Sequence, residues 1–331
     1  MLRRIKILSA GKYMPGKAIS SDELEANFNI EKGWCEKYSG VKFRYFANGE
    51  TGAQMGAKAL QNALNNANIN YDDLDLIIFA AASYDYPVPH TCCIMQSYFT
   101  ESKKDVPGFD IDATCLSFVM ALETCSYLLL GDQYNRIAIV TAEIASNSLD
   151  KNDNETFTLL GDGATAVIVE SPKENEDSRM LFSNILTKPS GARNTIIHKG
   201  GNANPGIHRK EGDVGEFAFK MDGKKLLRLA HDSLKPFCNE LMKKSNLQAH
   251  DFDWIIPHQA SKTGLELFRK IYDFDIQKFI INIDVYGNTL AASIPITLSD
   301  LMADNKIKRG DKILIIGSGA GFSLGGMTLI F

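Results

Sequence analysis

The chain contains an internal repeat, which constrains its fold more than any other feature of the sequence. Residues 68–83 align with residues 246–261 without a gap, and seven of the sixteen positions are identical. Each segment follows a stretch with the apolar spacing of an amphipathic helix, at 51–66 and at 224–244. Chance similarity between two generic segments is the alternative, but gapless agreement of this length favours a duplication.

Further similarity downstream gives the two halves the same predicted order of elements. The matching pairs are 109–112 with 281–284 and 135–140 with 311–316. Each half then has the order helix, strand, strand, helix, strand, and this alternation predicts helices layered on sheets. We therefore expect an α/β protein of two similar halves, at residues 1–175 and 176–331.

Residues 187–215 interrupt this pattern. They are rich in Gly, Asn and Lys and lack a clear periodicity. A loop of this length inside a compact chain is usually functional, so we predict a lid or a binding loop. A disordered connector between the two halves is the alternative.

Charge and composition exclude several classes of partner. The net charge of −4 provides no basic field for nucleic acid. No run approaches the roughly 18 apolar residues that span a bilayer, and Gly11 and Lys12 interrupt any signal-peptide core. We therefore expect a cytoplasmic protein without membrane insertion. The six cysteines form no C-x-x-C pair, so neither a disulfide framework nor a metal site is expected, and nothing indicates a cofactor.

Cys115 is the cysteine whose position favours reactivity. It follows the apolar residues 108–113 and opens a predicted helix over 116–130 that is apolar on nearly every side. The positive end of a buried helix is expected to lower the pKa of the thiol. The backbone N–H of Cys115 is also free to contribute to an oxyanion hole. Cys125 lies in the middle of the same helix and is expected only to pack.

Two polar residues of the second half are candidates for the same site. His258 ends a predicted strand at the position that Ala80 occupies in the first half. Two similar halves that share one active site are expected to differ in this way, with a polar side chain in one half and a methyl group at the equivalent position of the other. The alternative is a partly buried histidine whose hydrogen bonds are satisfied and which has no catalytic role. Asn288 follows a predicted strand over 280–284, at roughly the place that Cys115 has in the first half. An ordinary Asn–Gly turn is its alternative interpretation.

A glycine-rich segment at 317–321 follows the final predicted buried strand. Its glycines allow the backbone to approach a neighbour closely, so we assign a second oxyanion-hole amide to Ala320. A phosphate-binding loop is the weaker interpretation, because no P-loop lysine follows and the segment leads into another strand.

These segments together resemble β-ketoacyl-acyl-carrier-protein synthase III, a family with the thiolase fold, over essentially the whole chain. The matching motifs are Asp-Ala-Thr-Cys-Leu-Ser-Phe at 112–118, Leu-Gly-Asp-Gly-Ala at 160–164, Pro-His-Gln-Ala at 257–260, Tyr-Gly-Asn-Thr-Leu-Ala-Ala-Ser-Ile-Pro at 286–295 and Gly-Ala-Gly-Phe at 319–322. The resemblance implies a thiolase-like, duplicated, five-layer αβαβα fold and a homodimer.

The resemblance also implies an acyltransferase of fatty-acid or related acyl-chain biosynthesis. Cys115 would take an acyl group from a thioester, and a malonyl-type thioester would then enter. His258 and Asn288 would donate hydrogen bonds to its carbonyl oxygen while CO2 leaves and the enolate attacks the acyl-cysteine. Neutral donors suit an enolate oxygen, which a carboxylate would repel. The alternative within the fold is a specialised acyltransferase of secondary metabolism that joins two acyl units or acylates oxygen or nitrogen.

Substrate-binding residues follow from the resemblance as well. The expected positions are Trp34, Lys224 and Ser261 at the pantetheine, Arg228, Lys262 and Lys270 at an acidic acyl-carrier protein, and Val88 at the acyl tunnel of the partner subunit. Tyr38 and Asn154 stand where the family has arginines beside coenzyme A, and Thr263 stands at a docking arginine. Losing two cations beside a nucleotide favours a carrier-protein thioester over acyl-CoA as donor. Val88 replaces a phenylalanine, which predicts room for a longer or branched acyl chain.

Two other classes fit the residues less well. Papain-like proteases use Cys, His and Asn in the same chain order, but their disulfides and cysteine signature are absent and a duplicated α/β half does not suit them. A catalytically idle scaffold is disfavoured by the intact set of three residues.

Overall fold

The computed structural model describes residues 2–206 and 213–331. The strands of the first half are β1 (Arg3–Arg4), β2 (Lys6–Tyr13), β3 (Ile19–Ser20), β4 (Phe43–Arg44), β5 (Leu76–Ala80), β6 (Gly108–Ile111), β7 (Arg136–Glu143) and β8 (Gly163–Glu170). Its helices are α1 (Ser21–Phe28), α2 (Gly52–Ala67), α3 (Thr91–Gln96), α4 (Ser117–Leu128) and α5 (Asn154–Phe157).

The described part of the second half repeats this plan with fewer strands. Its strands are β9 (Arg179–Thr187), β10 (Thr195–Ile196), β11 (Lys220–Met221), β12 (Trp254–Pro257), β13 (Lys312–Gly319) and β14 (Ser323–Ile330). Its helices are α6 (Gly223–Ser245), α7 (Lys262–Ile271), α8 (Ile283–Tyr286) and α9 (Ser293–Ala303). Among the described residues, no helix combines the length and the apolar character that crossing a bilayer requires.

The two large sheets have corresponding strand orders. The first is β2-β8-β7-β5-β6 and the second is β1-β9-β14-β13-β12. In the first sheet β5, which follows α2, pairs in parallel with β7, which follows α4. In the second sheet β12, which follows α6, pairs in parallel with β13, which follows α9. In the first sheet β8 pairs antiparallel with β2 and β7, and in the second sheet β14 pairs antiparallel with β9 and β13. This match confirms the duplication that the repeat predicts.

Identical residues of the repeat make the same local contacts in both halves. Asn68 and Asn246 end helices α2 and α6 in the left-handed conformation, with φ of 54° and 55°, which asparagine tolerates better than most residues. Asp75 and Asp253 each accept a backbone N–H from the first residue of the neighbouring strand, β7 or β13. The repeat therefore preserves caps and strand starts rather than a chemical site.

Helices α4 and α9 form a middle layer between the two sheets. Phe118 of α4 and Ile294 of α9 share one apolar core with Ile78 of the first sheet and Ile315 of the second. Helices α2 and α3 cover the outer face of the first sheet, and α6 and α7 cover the outer face of the second. The order helix, sheet, helix, sheet, helix confirms the predicted five-layer arrangement.

The strand predicted over 280–284 is wrong. Pro257 ends β12 and has no N–H with which to continue a parallel ladder at this edge. The side chain of Gln259 replaces the missing ladder bonds: Nε2 donates to the carbonyl oxygen of Ile280 at 3.0 Å, and Oε1 accepts the N–H of Ile283 at 3.1 Å. The chain then turns into the short helix α8.

The segment predicted as a lid, 187–215, lies partly outside the described residues, because 207–212 are not among them. Its described part contains β10, which pairs antiparallel with β11 just beyond the segment. The stretches near the two ends of the segment are therefore held together by a short two-stranded sheet next to the rest of the second half. A lid function for the segment stays a prediction, as do the boundaries of the two halves.

Candidate active site

Cys115 lies on a 3₁₀ turn, Thr114–Leu116, which leads directly into α4. Asp112 Oδ1 accepts the backbone N–H of Thr114 at 2.8 Å and so holds the start of the turn. Thr114 has a φ of 53°, a left-handed conformation that strains a β-branched residue. The thiol is thus presented from a constrained turn just ahead of the helix, and Cys115 is only 8% exposed.

A second turn of the same design lies in the second half. Leu290–Ala292 form a 3₁₀ turn ahead of α9, and Leu290 has a φ of 48°. Asn288 Oδ1 accepts the N–H of Leu290 at 2.9 Å, matching the cap in the first half. The residue equivalent to Cys115 is therefore Ala291, three positions after Asn288. This corrects the expectation that Asn288 itself takes the place of Cys115.

The expected depression of the thiol pKa is wrong for the free protein. Burial raises the pKa of Cys115 to about 12, and the carboxyl groups of Glu143 and Asp112 raise it further. Backbone N–H groups of Ala320 and of Cys115 itself act in the opposite direction. Removing the thiolate from water destabilises it by more free energy than these amides and the helix terminus contribute in stabilisation. Cys115 is therefore a neutral thiol in the free protein.

The two amides predicted for the oxyanion hole both face the sulfur, although they come from different halves of the chain. Close approach depends on Gly319, where a Cβ atom would lie 2.8 Å from Thr114 Oγ1. Two converging N–H groups are the arrangement that stabilises a tetrahedral oxyanion next to a nucleophile. That the N–H groups of Cys115 and Ala320 donate to such an oxyanion remains a prediction.

His258 directly follows β12 and is buried. Its Nδ1 lies 2.6 Å from Ser293 Oγ, and the same oxygen accepts the N–H of Gln259 at 3.3 Å. Because this oxygen already accepts one hydrogen, its own proton is available to Nδ1, which leaves Nε2 as the N–H donor. Burial lowers the pKa of His258 to about 4, so the ring is neutral at pH 7.

Asn288 is held in one orientation. Since Oδ1 accepts the N–H of Leu290, the amide nitrogen is left as the donor, and its contact with the carbonyl oxygen of Ala260 is long at 3.4 Å. The backbone of Asn288 also pairs with Leu159 and Gly161, at 2.9 and 3.0 Å. These bonds tie the predicted Leu-Gly-Asp-Gly-Ala motif to the second half and leave Asn288 Nδ2 with donor capacity for a ligand.

A small apolar cluster around Cys115 draws on several loops. Its buried members are Ala145, Leu160 and Leu290, and Ala82, Leu149 and Phe219 pack against them. Phe219 lies just beyond the predicted lid segment, and its N–H donates to the carbonyl oxygen of Ser148 at 2.7 Å. The insertion therefore reaches the neighbourhood of the thiol through Phe219.

Trp34 and Tyr38 lie on one turn, and their rings pack in a tilted arrangement with centroids 4.0 Å apart at an angle of 35°. The buried indole N–H of Trp34 has no hydrogen-bond partner in the described parts of the chain. Lys262, from the second half, packs its aliphatic stem on Gly40, where a Cβ would lie 2.5 Å from Lys262 Cδ. The structure thus brings the Trp34 turn beside Lys262, while Tyr38 covers one face of the indole.

The other predicted binding residues lie at the surface of α6 and α7. Lys224 and Arg228 are exposed one turn apart near the start of α6, and Lys270 is exposed near the end of α7. Ser261 is committed to capping α7, since its Oγ accepts the N–H of Gly264 at 3.2 Å. Pantetheine binding and carrier-protein docking by these residues stay predictions.

Val88 lies in the loop between β5 and α3 and is 83% exposed. Among the described residues, it is not a member of the two apolar cores that enclose the first sheet. Exposed aromatic side chains share this region of the first half, namely Tyr84, Tyr86, Tyr98 and Phe109. An exposed Val88 fits a residue that projects towards another subunit, and that role stays a prediction.

Three functional candidates escaped the sequence analysis: Glu143, Gln259 and Ser293. Glu143 ends the buried strand β7 and is fully buried. Its counterpart at the end of β13 is Gly319, the same polar-against-small asymmetry that singles out His258. Comparing the two halves position by position would therefore have found it.

One group of described residues has the donor atoms for a metal, namely His90, Cys92 and Asp110, whose ligand atoms lie within 4.8 Å of one another. Both oxygens of Asp110 already accept backbone N–H groups, from Thr91 at 2.7 Å and from Cys92 at 2.8 Å. The group therefore serves as the start of α3, where the positive helix end disfavours a cation.

Comparison with known proteins identifies the family. Residues 109–189 match the family model for 3-oxoacyl-[acyl-carrier-protein (ACP)] synthase III, and residues 242–331 match the model for its C-terminal part. The β-ketoacyl-[acyl-carrier-protein] synthase III of Vesicomyosocius okutanii is 31% identical over 332 residues, covering 100% of both chains. That of Rickettsia bellii is 32% identical over 325 residues, covering 98% of both.

Solved structures agree with this assignment. The crystal structure of 3-oxoacyl-[acyl-carrier-protein] synthase III from Aquifex aeolicus is 29% identical, with a TM-score of 0.88, and the match covers 99% of this chain and 100% of that one. A priming β-ketosynthase of the R1128 polyketide pathway has the same fold, with a TM-score of 0.89, 24% identity and coverage of 100% and 97%. The chain belongs to the β-ketoacyl-acyl-carrier-protein synthase III family.

Proposed function

We propose that this protein is an acyltransferase of the 3-oxoacyl-acyl-carrier-protein synthase III type. It acylates Cys115 and then condenses that acyl group with a malonyl-type thioester, in fatty-acid or related acyl-chain biosynthesis. The observation that carries the proposal is a buried thiol that two N–H groups face and that packs with Leu290, whose own N–H holds the Asn288 side chain with its amide nitrogen free. The neutral His258 lies beside the residue that follows Cys115, since a Cβ at Gly317 would be 2.8 Å from His258 Cβ and 3.2 Å from Leu116 Cδ2. The curated relatives named β-ketoacyl-[acyl-carrier-protein] synthase III support the same reaction.

The first half-reaction exchanges one thioester for another. The Cys115 sulfur attacks the thioester carbonyl, and the tetrahedral oxyanion receives the N–H groups of Cys115 and Ala320. The carbon–sulfur bond of the donor then breaks, and the released thiol carries away the proton that Cys115 loses. Because the neutral thiol is the resting form, proton loss accompanies attack rather than preceding it.

The second half-reaction forms a carbon–carbon bond. His258 and Asn288 donate to the carbonyl oxygen of the malonyl-type thioester, and loss of CO2 leaves an enolate on that oxygen. The enolate carbon attacks the acyl-cysteine, the carbon–sulfur bond to Cys115 breaks, and the thiolate takes one proton from water to restore the resting thiol. Two uncharged donors stabilise the developing charge without forming a fixed ion pair in the ground state.

A specialised acyltransferase of secondary metabolism is the second candidate, and the family assignment does not favour it.

We propose acyl-carrier protein and acyl-CoA thioesters as partners, with docking at Arg228, Lys262 and Lys270. We also propose a homodimer in which Val88 reaches the partner subunit, and a cytoplasmic location.

The function is tested by supplying acyl-carrier-protein and acyl-CoA donors of graded chain length together with a malonyl-carrier protein. The expected product is the corresponding 3-oxoacyl thioester, identified by mass spectrometry. Medium or branched acyl chains are expected to be accepted because Val88 is small. Formation of esters or amides from added alcohols or amines, without 3-oxoacyl product, would favour the second candidate.

The donor preference is tested by Tyr38→Arg. Restoring a cation beside Trp34 is expected to raise kcat/KM for acyl-CoA by about tenfold, since a charge-assisted phosphate contact is worth roughly 1.5–3 kcal/mol. The value for the same acyl group on a carrier protein should stay within about twofold, because the substitution adds no contact to the carrier. The matched control is Tyr38→Phe, which keeps the ring over Trp34 and should change neither value. An equal rise with both donors would contradict a nucleotide contact.

The pH dependence of decarboxylation reports the state of His258. Since burial lowers its pKa to about 4, the ring stays neutral from pH 8 down to about pH 5.5, and the rate constant for malonyl-thioester decarboxylation is expected to be flat there. An inflection near the ordinary histidine value of about 6.5 would contradict a neutral donor. The unfolded chain binds this proton more readily, so His258 also makes stability fall as pH drops through 6.5 towards 4.

A further inference from the structure

Glu143 is a buried carboxyl group that the proposed mechanism does not use. It ends β7 and lies entirely out of solvent. Its Oε1 accepts the N–H of Ala82 at 2.7 Å. Its Oε2 accepts the hydroxyl of Ser83 at 2.8 Å and the N–H of Ser83 at 3.2 Å. The N–H of Ala291 also interacts with the carboxyl group, so the side chain links the two halves.

Two of these donors belong to the walls of the Cys115 site. Ala82 packs against the apolar cluster that contains the thiol, and Leu290, the neighbour of Ala291, is part of that cluster. Leu290 keeps a left-handed φ of 48°, which an aliphatic residue holds only when its surroundings enforce it. Glu143 is thus anchored to the loop after β5 on one side of the thiol and to the Asn288 turn on the other.

The equivalence of the two turns explains why a carboxyl group is needed at this place. Ala291 corresponds to Cys115, so the N–H of Ala291 is the counterpart of the N–H that faces the sulfur in the first half. A buried N–H without a partner costs about 1–3 kcal/mol. In the second half the carboxyl group of Glu143 faces that N–H, whereas in the first half the N–H of Cys115 is left for the reacting oxygen.

Charge links Glu143 to the thiol as well. After burial, Glu143 is the largest influence that raises the pKa of Cys115, followed among carboxyl groups by Asp112. Burial raises the pKa of Glu143 itself to about 8, against the opposing effects of the N–H groups of Ala82, Ser83 and Ala291 and of the Ser83 hydroxyl. The negative charge beside the thiol therefore develops mainly above pH 8.

We propose that Glu143 is a positioning residue for condensation, which fixes the Ala82 loop and the Asn288 turn on either side of Cys115 and restrains the reactivity of the thiol through its charge. This role rests on the proposed function of the site. It predicts two separable effects, one on geometry and one on the thiol. A purely structural carboxyl group would show only the first.

The test compares Glu143→Gln with the intact chain by the rate of iodoacetamide alkylation of Cys115, read by mass spectrometry of its peptide. At pH 9.5 the variant lacks the charge, and alkylation is expected to be about tenfold faster, because one pKa unit changes the thiolate fraction tenfold. At pH 6.5, where Glu143 carries its proton, the two rates should converge. Turnover should fall by about tenfold with KM nearly unchanged, since one amide oxygen cannot replace both carboxyl oxygens.

The matched control is Asp162→Asn. Asp162 is also a fully buried carboxyl group, and it accepts the N–H groups of Ala47 at 2.7 Å and Ser146 at 2.9 Å. It is not among the main influences on the Cys115 pKa, so its loss should leave the alkylation profile unchanged. Equal alkylation rates for Glu143→Gln and the intact chain at pH 9.5 would overturn the proposal.

A charge-retaining variant covers the case in which Glu143→Gln does not fold. Glu143→Asp keeps the charge but is one methylene shorter, so alkylation should follow the intact chain while turnover falls. Unchanged turnover of Glu143→Asp would overturn the positioning role. Alkylation needs no acyl substrate, so a failure of condensation in the intact chain would count against the proposed function and leave this test readable.

Discussion

Cys115→Ala is expected to abolish carbon–carbon bond formation, with a loss of at least about 10³-fold. The alanine cannot hold the acyl group, so the two half-reactions lose their covalent connection. The backbone N–H groups of Cys115 and Ala320 both face the sulfur. Intact-mass measurement after incubation with acyl thioesters should show no adduct, whereas decarboxylation of a malonyl thioester should continue because His258 and Asn288 remain.

The matched control is Cys125→Ala, which lies on the helix α4 that follows the Cys115 turn and is fully buried. Its removal deletes one sulfur from the middle layer and should cost about 1 kcal/mol of stability while leaving the acyl adduct intact. An adduct that persists in Cys115→Ala would show that another nucleophile carries the acyl group. Loss of decarboxylation together with condensation would show that the variant has lost the site as a whole.

Asn288→Asp is expected to separate the two half-reactions. The carboxylate keeps an oxygen to accept the N–H of Leu290, so the turn is preserved, but the donor is replaced by a negative charge. Losing one oxyanion donor typically costs about 10²–10³ in rate, and repulsion of the enolate adds to this. Acylation of Cys115 should proceed, since it uses the two backbone N–H groups, and the acyl-enzyme should then accumulate.

Asn282→Asp is the matched control for this change. Asn282 is half-buried and donates to Thr297 Oγ1 at 3.1 Å, outside the set of residues around the thiol. Condensation should change by less than about threefold in this variant, as is usual for a substitution that touches no reacting group. If Asn288→Asp condensed as fast as the intact chain, the donor role of Asn288 would be wrong.

The repeat was a reliable guide to the fold because it preserves local chemistry. Asn68 and Asn246 cap helices in a conformation that few residues tolerate, and Asp75 and Asp253 start the neighbouring strands. Each of these contacts fixes the end of a helix or the start of a strand. The repeat therefore predicts where the elements of both halves begin and end. The same reasoning could place Cys115 ahead of a buried helix without any knowledge of the tertiary structure.

The sequence was a poorer guide where a hydrogen bond from a side chain to the backbone decides the path of the chain. Gln259 replaces a strand ladder with its side chain, so the apolar residues at 280–281 suggested a strand that does not form. Asn288 was placed opposite Cys115 because both follow a strand, but the shared turn geometry makes Ala291 the true counterpart. At both places a side-chain amide bonded to the backbone sets the path of the chain, and the spacing of apolar residues does not report such a bond.

The state of the thiol could not be predicted either. Position at a helix terminus predicts a depressed pKa, but the actual direction depends on how completely the fold removes Cys115 from water and on Glu143, which lies 28 positions away along the chain. Only the packed structure contains both facts. The sequence therefore singled out Cys115 as the candidate nucleophile, which stays a prediction, but assigned it the wrong resting state.

The most direct test of the central claim is time-resolved intact-mass measurement of the unmodified protein through both half-reactions. Incubation with an acyl thioester is expected to add one acyl mass per chain, located on the Cys115 peptide. Addition of a malonyl-carrier protein should then remove that mass while one CO2 and one 3-oxoacyl thioester appear per adduct lost. An adduct that forms on another residue, or that leaves only by hydrolysis to free acid, would contradict a condensing site built from Cys115, His258 and Asn288.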